Sequence, residues 1–259
     1  MTFRRHSVTL VFLLGTVLLL SACAGNRTKP SGDDVRSKQV ESHYRLGLDA
    51  LEKNDLPKAF EELLYAKKLD PRRADVLSAL AYAWRLRGDM KKAYDYYNQS
   101  LSIDPQARTW NNYGALLLTM HKPTEAEAAF RKALDDPRYP HPDYAYINLG
   151  DALLMQDRLD DAIAAYRQAR VLNPNQELSR LKEAAAYRKY NRPAFAKAMY
   201  ETILRDSPSN RQALEGLLPL LQDQSDSGEA IRQLQHFIKV TPEPMDRAWA
   251  EEALKALQP

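Results

Sequence analysis

The sequence has a single cysteine and only nine glycines among its 259 residues. One cysteine cannot form an intramolecular disulfide, and it excludes zinc or iron–sulfur sites built from several cysteines. The low glycine content argues against a collagen-like or low-complexity polymer. With 44% hydrophobic and 27% charged residues, the composition is that of a globular chain that can bury a core.

The sequence also lacks the motifs of common enzymes. It contains no HExxH pair, no Walker loop, no glycine-rich dinucleotide turn and no G-x-S-x-G nucleophile elbow. Its five histidines are scattered, and its paired acidic residues fit solvated faces and turns better than catalytic carboxylates. The sequence therefore predicts a protein that is not an enzyme and uses no cofactor, metal ion or small-molecule substrate.

No strong excess of charge of one sign is present either. Residues 1–22 contain two arginines and no acidic residue, so the formal charge of +3 falls to +1 for a chain that begins at Cys23. Basic pairs further along the chain are interleaved with acidic residues. This balance predicts no nucleic-acid partner.

Residues 1–22 have the pattern of a secretory signal peptide. Arg4 and Arg5 precede an apolar run of 13 residues from Val8 to Leu20. A helix needs about 20 residues to span a bilayer, so this run fits a cleaved signal better than a membrane anchor.

The signal ends in a sequence that resembles the bacterial lipobox, Leu20-Ser21-Ala22-Cys23. We therefore expect lipidation at Cys23, although an ordinary signal with an accidental cysteine is the alternative. In lipoproteins, Ala24 in place of Asp implies sorting to the outer membrane. The resemblance thus predicts a lipid-anchored outer-membrane protein that faces the periplasm. Residues 23–39 are polar and predict a flexible tether.

Prolines mark a period of about 34 residues. Pro71, Pro105, Pro174, Pro208 and Pro242 are separated by 34, 69, 34 and 34 residues. The double interval contains a proline-rich stretch at residues 137–142, which predicts a loop with a small insertion. Such a period is typical of tandem helical repeats.

Aligned on these prolines, the segments match the tetratricopeptide pattern of small, aromatic and apolar positions. Small residues stand where two antiparallel helices must cross closely: Gly47, Ala81, Gly114, Gly150 and Ala184. Residues at equivalent places between the paired helices predict tight turns: Asn54, Gly88, His121, Asp157, Asn191 and Ser225.

The pattern predicts an all-α tetratricopeptide-repeat superhelix of six helical hairpins and a C-terminal capping helix. Pro219 should kink the first helix of repeat six or end it early. We place the repeats at 40–73, 74–106, 107–142, 143–176, 177–210 and 211–242, and the cap at 243–259.

The first helix of each repeat lines the concave side of such a superhelix. Apolar and aromatic residues at these positions predict a groove that binds a peptide segment of a partner protein. The candidate groove residues are Tyr44, Leu48, Leu51, Tyr82, Arg85, Asn111, Leu118, Tyr144, Ile147 and Leu154.

One stretch is more specific than the repeats themselves. It runs from Asn111-Asn112-Tyr113-Gly114 through Phe130, the Asp136-Pro137 and Tyr139-Pro140 pairs and Asn148-Leu149-Gly150. With the lipobox, it resembles the type IV pilus biogenesis and stability lipoproteins, the pilotins of the PilF/PilW kind. The resemblance implies a protein that binds the pilus secretin subunit, carries it to the outer membrane and promotes its multimerisation.

A second function fits the same anchor and repeats. An adapter lipoprotein could use them to scaffold peptidoglycan hydrolases or a periplasmic protease. Only the stretch at the junction of repeats three and four favours the pilotin interpretation over this alternative.

Overall fold

The computed structural model describes residues 32–223 and 226–257. All regular secondary structure in these residues is α-helical, which confirms the predicted fold class. The predicted signal peptide, Cys23 and the turn residue Ser225 lie outside the described residues. The helices are α1 (Gly32–Glu52), α2 (Leu56–Leu69), α3 (Ala74–Leu86), α4 (Met90–Ile103), α5 (Ala107–Thr119), α6 (Pro123–Leu134), α7 (Pro142–Leu154), α8 (Leu159–Leu172), α9 (Glu177–Lys189), α10 (Pro193–Asp206), α11 (Arg211–Asp223), α12 (Ser227–Val240) and α13 (Pro244–Leu257).

Consecutive helices pair into hairpins that are joined by short turns. Five of the six predicted turn residues have a positive φ, the left-handed conformation that reverses the chain direction between paired helices. Gly88 has φ 88°, and the other four lie between 54° and 59°: Asn54, His121, Asp157 and Asn191. Asp55 and Asp89 then cap the following helices by accepting hydrogen bonds from the backbone N–H groups of Lys58 and Lys92.

The hairpins stack in chain order, because each second helix packs against the first helix of the next repeat. Helices α3, α5, α9 and α11 begin at residues 74, 107, 177 and 211, where the sequence places the repeat boundaries. Helix α7 begins at Pro142, one residue before the expected boundary. Helix α13 packs against α12 at the end of the array.

Glycines let the paired helices approach closely. A Cβ atom built at Gly150 would lie 2.4 Å from Cε1 of Tyr166, whose side chain is fully buried. Equivalent atoms at Gly47 and Gly114 would lie 2.6 Å from Leu63 and Phe130. A large side chain on the second helix therefore fills the space that the glycine leaves on the first.

The first helix begins earlier than expected. Helix α1 starts at Gly32, so residues 32–39 are helical and the prediction of a flexible tether is wrong for them. The reason is a tertiary contact, since Arg36 Nε donates a hydrogen bond of 2.7 Å to the Leu69 carbonyl at the end of α2. Val40 is also buried. The negative charges of Asp33 and Asp34 in the first turn interact favourably with the helix dipole and stabilise the start of the helix.

Pro219 does not end its helix early, which was one of the two outcomes predicted from the sequence. Helix α11 continues through it to Asp223. Both Pro219 and Glu215, one turn before it, are exposed. The carbonyl that loses its hydrogen bond to proline therefore faces water, which can satisfy it.

The glycine contacts give a stability prediction. Gly150→Ala should lower the free energy of unfolding by about 1–3 kcal/mol, because the new methyl group collides with a buried ring. Urea denaturation followed by circular dichroism measures the change.

The control is Gly228→Ala in the first turn of α12, where the nearest atom would lie 3.6 Å away. It should change stability by less than about 1 kcal/mol, in the stabilising direction. Equal effects of the two substitutions would mean that a side chain at residue 150 does not disturb the crossing of the two helices.

Candidate protein-binding groove

The first helices of neighbouring repeats contact one another, α1 with α3, α3 with α5 and α5 with α7. They form the inner side of the array, and an open cavity of about 460 Å³ lies along them. Six of the ten predicted groove residues line this cavity: Tyr44, Leu48, Leu51, Tyr82, Asn111 and Tyr144. We call it the groove.

The other four predicted residues do not line the groove. Ile147 is only 2% exposed and belongs to the core, so its prediction as a groove residue is wrong. Leu118 and Leu154 are half-buried and pack against that core. The Arg85 guanidinium stacks over the Tyr82 ring, with its carbon 5.0 Å from the ring centroid. Periodicity places these side chains near the inner side, but contacts with adjacent helices decide whether they reach the groove.

The loop between α6 and α7 supplies groove residues that the sequence analysis missed. Tyr139 is 8% exposed and packs on Ala107, Ala133 and Ala145, yet one side of it lines the groove together with His141. The proline-rich insertion at residues 137–142 was the available signal. It indicated a loop, but not that the loop folds inward.

The remaining residues of the groove lining were not among the ten candidates and are mostly polar. They lie at the N-terminal ends of the inner helices or further along the same helices. They are Asp75, Ser78, Ala79, Gln106, Arg108, Thr109, Asn112 and Asn148. Ser78 and the two asparagines stand at inner-helix positions that the repeat spacing could identify.

Hydrogen bonds between the inner helices hold the groove in shape. Asn148 Nδ2 donates to Asn111 Oδ1 at 3.1 Å and joins α7 to α5. Thr109 Oγ1 donates to Ser78 Oγ at the same distance and joins α5 to α3. Asn112 makes no side-chain hydrogen bond to the described residues, so its amide is available to a ligand.

An ion pair neutralises the acidic residue that lines the groove. Asp75 accepts hydrogen bonds from Arg73 Nε and Nη2, both at 2.9 Å. The Asp75 charge still acts on Tyr44, since burial raises the pKa of the Tyr44 phenol and Asp75 raises it further. The phenol therefore stays protonated at neutral pH and can donate a hydrogen bond.

Within residues 32–223 and 226–257, no group of three or more histidine, cysteine, aspartate or glutamate side chains could hold a metal ion. No helix in the same residues is long and apolar enough to cross a membrane. The groove, with its tyrosines, leucines and amides, is suited to binding a polypeptide segment.

The tetratricopeptide-repeat pattern matches residues 44–108 and 114–177, which cover most of the first four repeats. The chain belongs to the tetratricopeptide-repeat proteins. The remaining hairpins continue the same architecture, and the predicted superhelix is confirmed.

Among tetratricopeptide-repeat proteins, this one is similar to the type IV pilus assembly protein PilF of Pseudomonas aeruginosa. The two are 28% identical over 206 residues, 79% of this chain and 82% of PilF. The solved structure of P. aeruginosa PilF superposes with a TM-score of 0.68 at 24% identity, covering 84% of this chain and 99% of that one.

PilW, described as a widely conserved type IV pilus biogenesis factor, gives a TM-score of 0.72 at 21% identity. The likeness covers 82% of this chain and 98% of PilW. The predicted resemblance to the PilF/PilW proteins is therefore confirmed, in sequence for PilF and in fold for both.

Ile147 and Tyr144 both lie on α7 but differ in burial, and substituting each of them tests which one belongs to the groove surface. Ile147→Asp should lower the free energy of unfolding by about 3 kcal/mol or more, because it buries an unpaired charge. Tyr144→Asp, three residues away, should change it by less than about 1 kcal/mol, since Tyr144 is 49% exposed.

Thermal and urea unfolding of the two variants measures the difference. If Tyr144→Asp destabilises the chain as much as Ile147→Asp does, Tyr144 belongs to the core and not to a binding surface.

Proposed function

We propose that this tetratricopeptide-repeat protein is an outer-membrane lipoprotein that helps to assemble the type IV pilus. In this role it binds the secretin subunit and promotes its localisation and multimerisation in the outer membrane. The observation that supports the proposal most strongly is the groove of repeats one to four in a chain that matches PilF over most of its length.

The groove offers the contacts that a secretin segment would need. Tyr82 and Tyr144 present exposed or half-buried rings, and Leu48 and Leu51 add aliphatic surface beside them. Aromatic side chains at the centre of an interface often contribute most of its binding energy. The hydrogen bonds between α3, α5 and α7 hold the helices that carry Tyr82 and Tyr144 in place before binding, which lowers the entropic cost of association.

The lipid would bring the groove to the place of assembly. Helix α1 begins nine residues after Cys23. A chain of that length spans at most about 30 Å, so repeat one would lie close to the membrane surface. Two or more acyl chains give stable anchoring. Holding the groove near the membrane raises the effective concentration of the bound secretin segment there.

Cys23→Ser tests the anchor. Without the thiol no lipid can be attached, so we expect a folded protein that is released from the outer membrane and secretin multimers that are mislocalised. Membrane fractionation followed by immunoblotting for this protein and for the secretin measures both effects. Normal multimers in the outer membrane of this strain would contradict the targeting role.

The double substitution Tyr82→Ala with Tyr144→Ala tests the groove. Loss of two aromatic anchors should weaken secretin binding by about tenfold to a hundredfold. Binding is measured with the full chain and purified secretin, and circular dichroism should remain helical because neither ring belongs to the buried core.

The matched control is Tyr65→Ala with Phe195→Ala, two exposed rings outside the groove, which are 45% and 58% exposed. It should leave secretin binding unchanged. If the two double variants weaken binding equally, the binding site is not the groove. Recovery of peptidoglycan hydrolases or a protease by the full chain, without secretin, would instead favour the adapter role.

A further inference from the structure

Arg108 is an arginine of the groove lining whose positive charge has no ion-pair partner in the described residues. It lies at the first turn of α5 and is exposed. Asp75, the acidic residue beside it in the groove lining, is already paired with Arg73. Within the described part of the chain, Arg108 forms no ion pair and no side-chain hydrogen bond. The groove therefore carries a positive charge that no side chain of the described residues pairs with directly.

Two tyrosines flank this guanidinium. Burial raises the pKa of both the Tyr44 and the Tyr139 phenol, and the nearby Arg108 charge opposes the shift in each case. The positive charge thus acts on residues of repeat one and of the loop before α7. Since both phenols are protonated at neutral pH, they add hydrogen-bond donors and no negative charge to the surroundings of Arg108.

We propose that the groove recognises a partner segment through an acidic side chain that pairs with Arg108. This inference rests on the proposed docking function and specifies its ligand. The bound carboxylate would accept two hydrogen bonds from the guanidinium, an arrangement that arginine favours because its donors form a planar fork. The Tyr44 phenol and the free Asn112 amide supply further donors along the groove.

The acidic residue is expected within the segment and not at its C terminus. The inner helices lie side by side in chain order, so the lining residues Leu48 and Leu51 of α1 are on one side of α5, and Tyr144 of α7 with Tyr139 of the preceding loop is on the other. A ligand must continue on both sides of the carboxylate to cover both parts. The occupant is therefore a segment with apolar residues on either side of an Asp or Glu.

Selection from a library of random peptides tests this chemistry. The peptides are displayed on phage with their C termini fused to the coat protein, so that they have no free terminal carboxylate, and the full chain is the target. We expect enrichment of Asp or Glu at one position between apolar residues. Against Arg108→Glu, the same position should change to Lys or Arg.

A double-mutant cycle with a selected synthetic peptide then isolates the pair. Changing the peptide's acid to its amide should weaken binding to the unmodified chain about tenfold and should hardly alter binding to Arg108→Gln. The matched control is Arg205→Gln, an exposed arginine on α10 outside the groove, which should behave like the unmodified chain.

The outcomes separate this inference from the docking function. Selected peptides that lack an acid but lose binding in the Tyr82→Ala/Tyr144→Ala variant would overturn the Arg108 inference and leave the groove as a binding site. Acidic peptides that bind equally well to the Arg108→Gln variant would overturn it too. So would peptides that need an acidic group only when that group is a free C-terminal carboxylate. A library that yields no groove-dependent peptide would contradict both.

Discussion

The close crossing of two helices within each repeat determines the rest of the structure. At Gly47, Gly114 and Gly150 the first helix has no side chain, and a large residue of the second helix occupies the space. This contact sets how near the paired helices lie. The packing of each second helix on the first helix of the next repeat then brings the inner helices side by side, and the groove lies along them.

The features that repeat along the chain could be predicted from the sequence because they are local. A proline after each hairpin cannot continue a helix, and Asn, Asp and Gly tolerate the left-handed turn conformation. These constraints act within a few residues. They accordingly locate Asn54, Gly88, Asp157 and Asn191 in turns.

Features that depend on contacts distant in sequence could not be predicted in this way. Helical periodicity gives the direction of Ile147 on α7, but not the neighbouring side chains that bury it. The early start of α1 depends on the Leu69 carbonyl, 33 residues from Arg36. Tyr139 reaches the groove only because Ala107, Ala133 and Ala145 leave a space for its ring. In each case a tertiary contact outweighs the local pattern.

The two halves of the array differ in how their inner helices are used. In repeats four and five, polar side chains of the inner helices are engaged within the protein. Asp151 accepts hydrogen bonds from Tyr166 and Lys182, both at 2.7 Å, and the buried Glu183 pairs with Arg167 and Arg170.

Such pairs leave few unsatisfied groups for a ligand, and their partners would be costly to separate because a buried carboxylate would lose its counter-charge. In the groove, by contrast, the tyrosines, the Asn112 amide and Arg108 face an open cavity. The same scaffold thus joins its later repeats through internal ion pairs and keeps its earlier inner surface available for a partner. The available surface lies in the repeats nearest to Cys23, where the proposed lipid anchor would hold it beside the membrane.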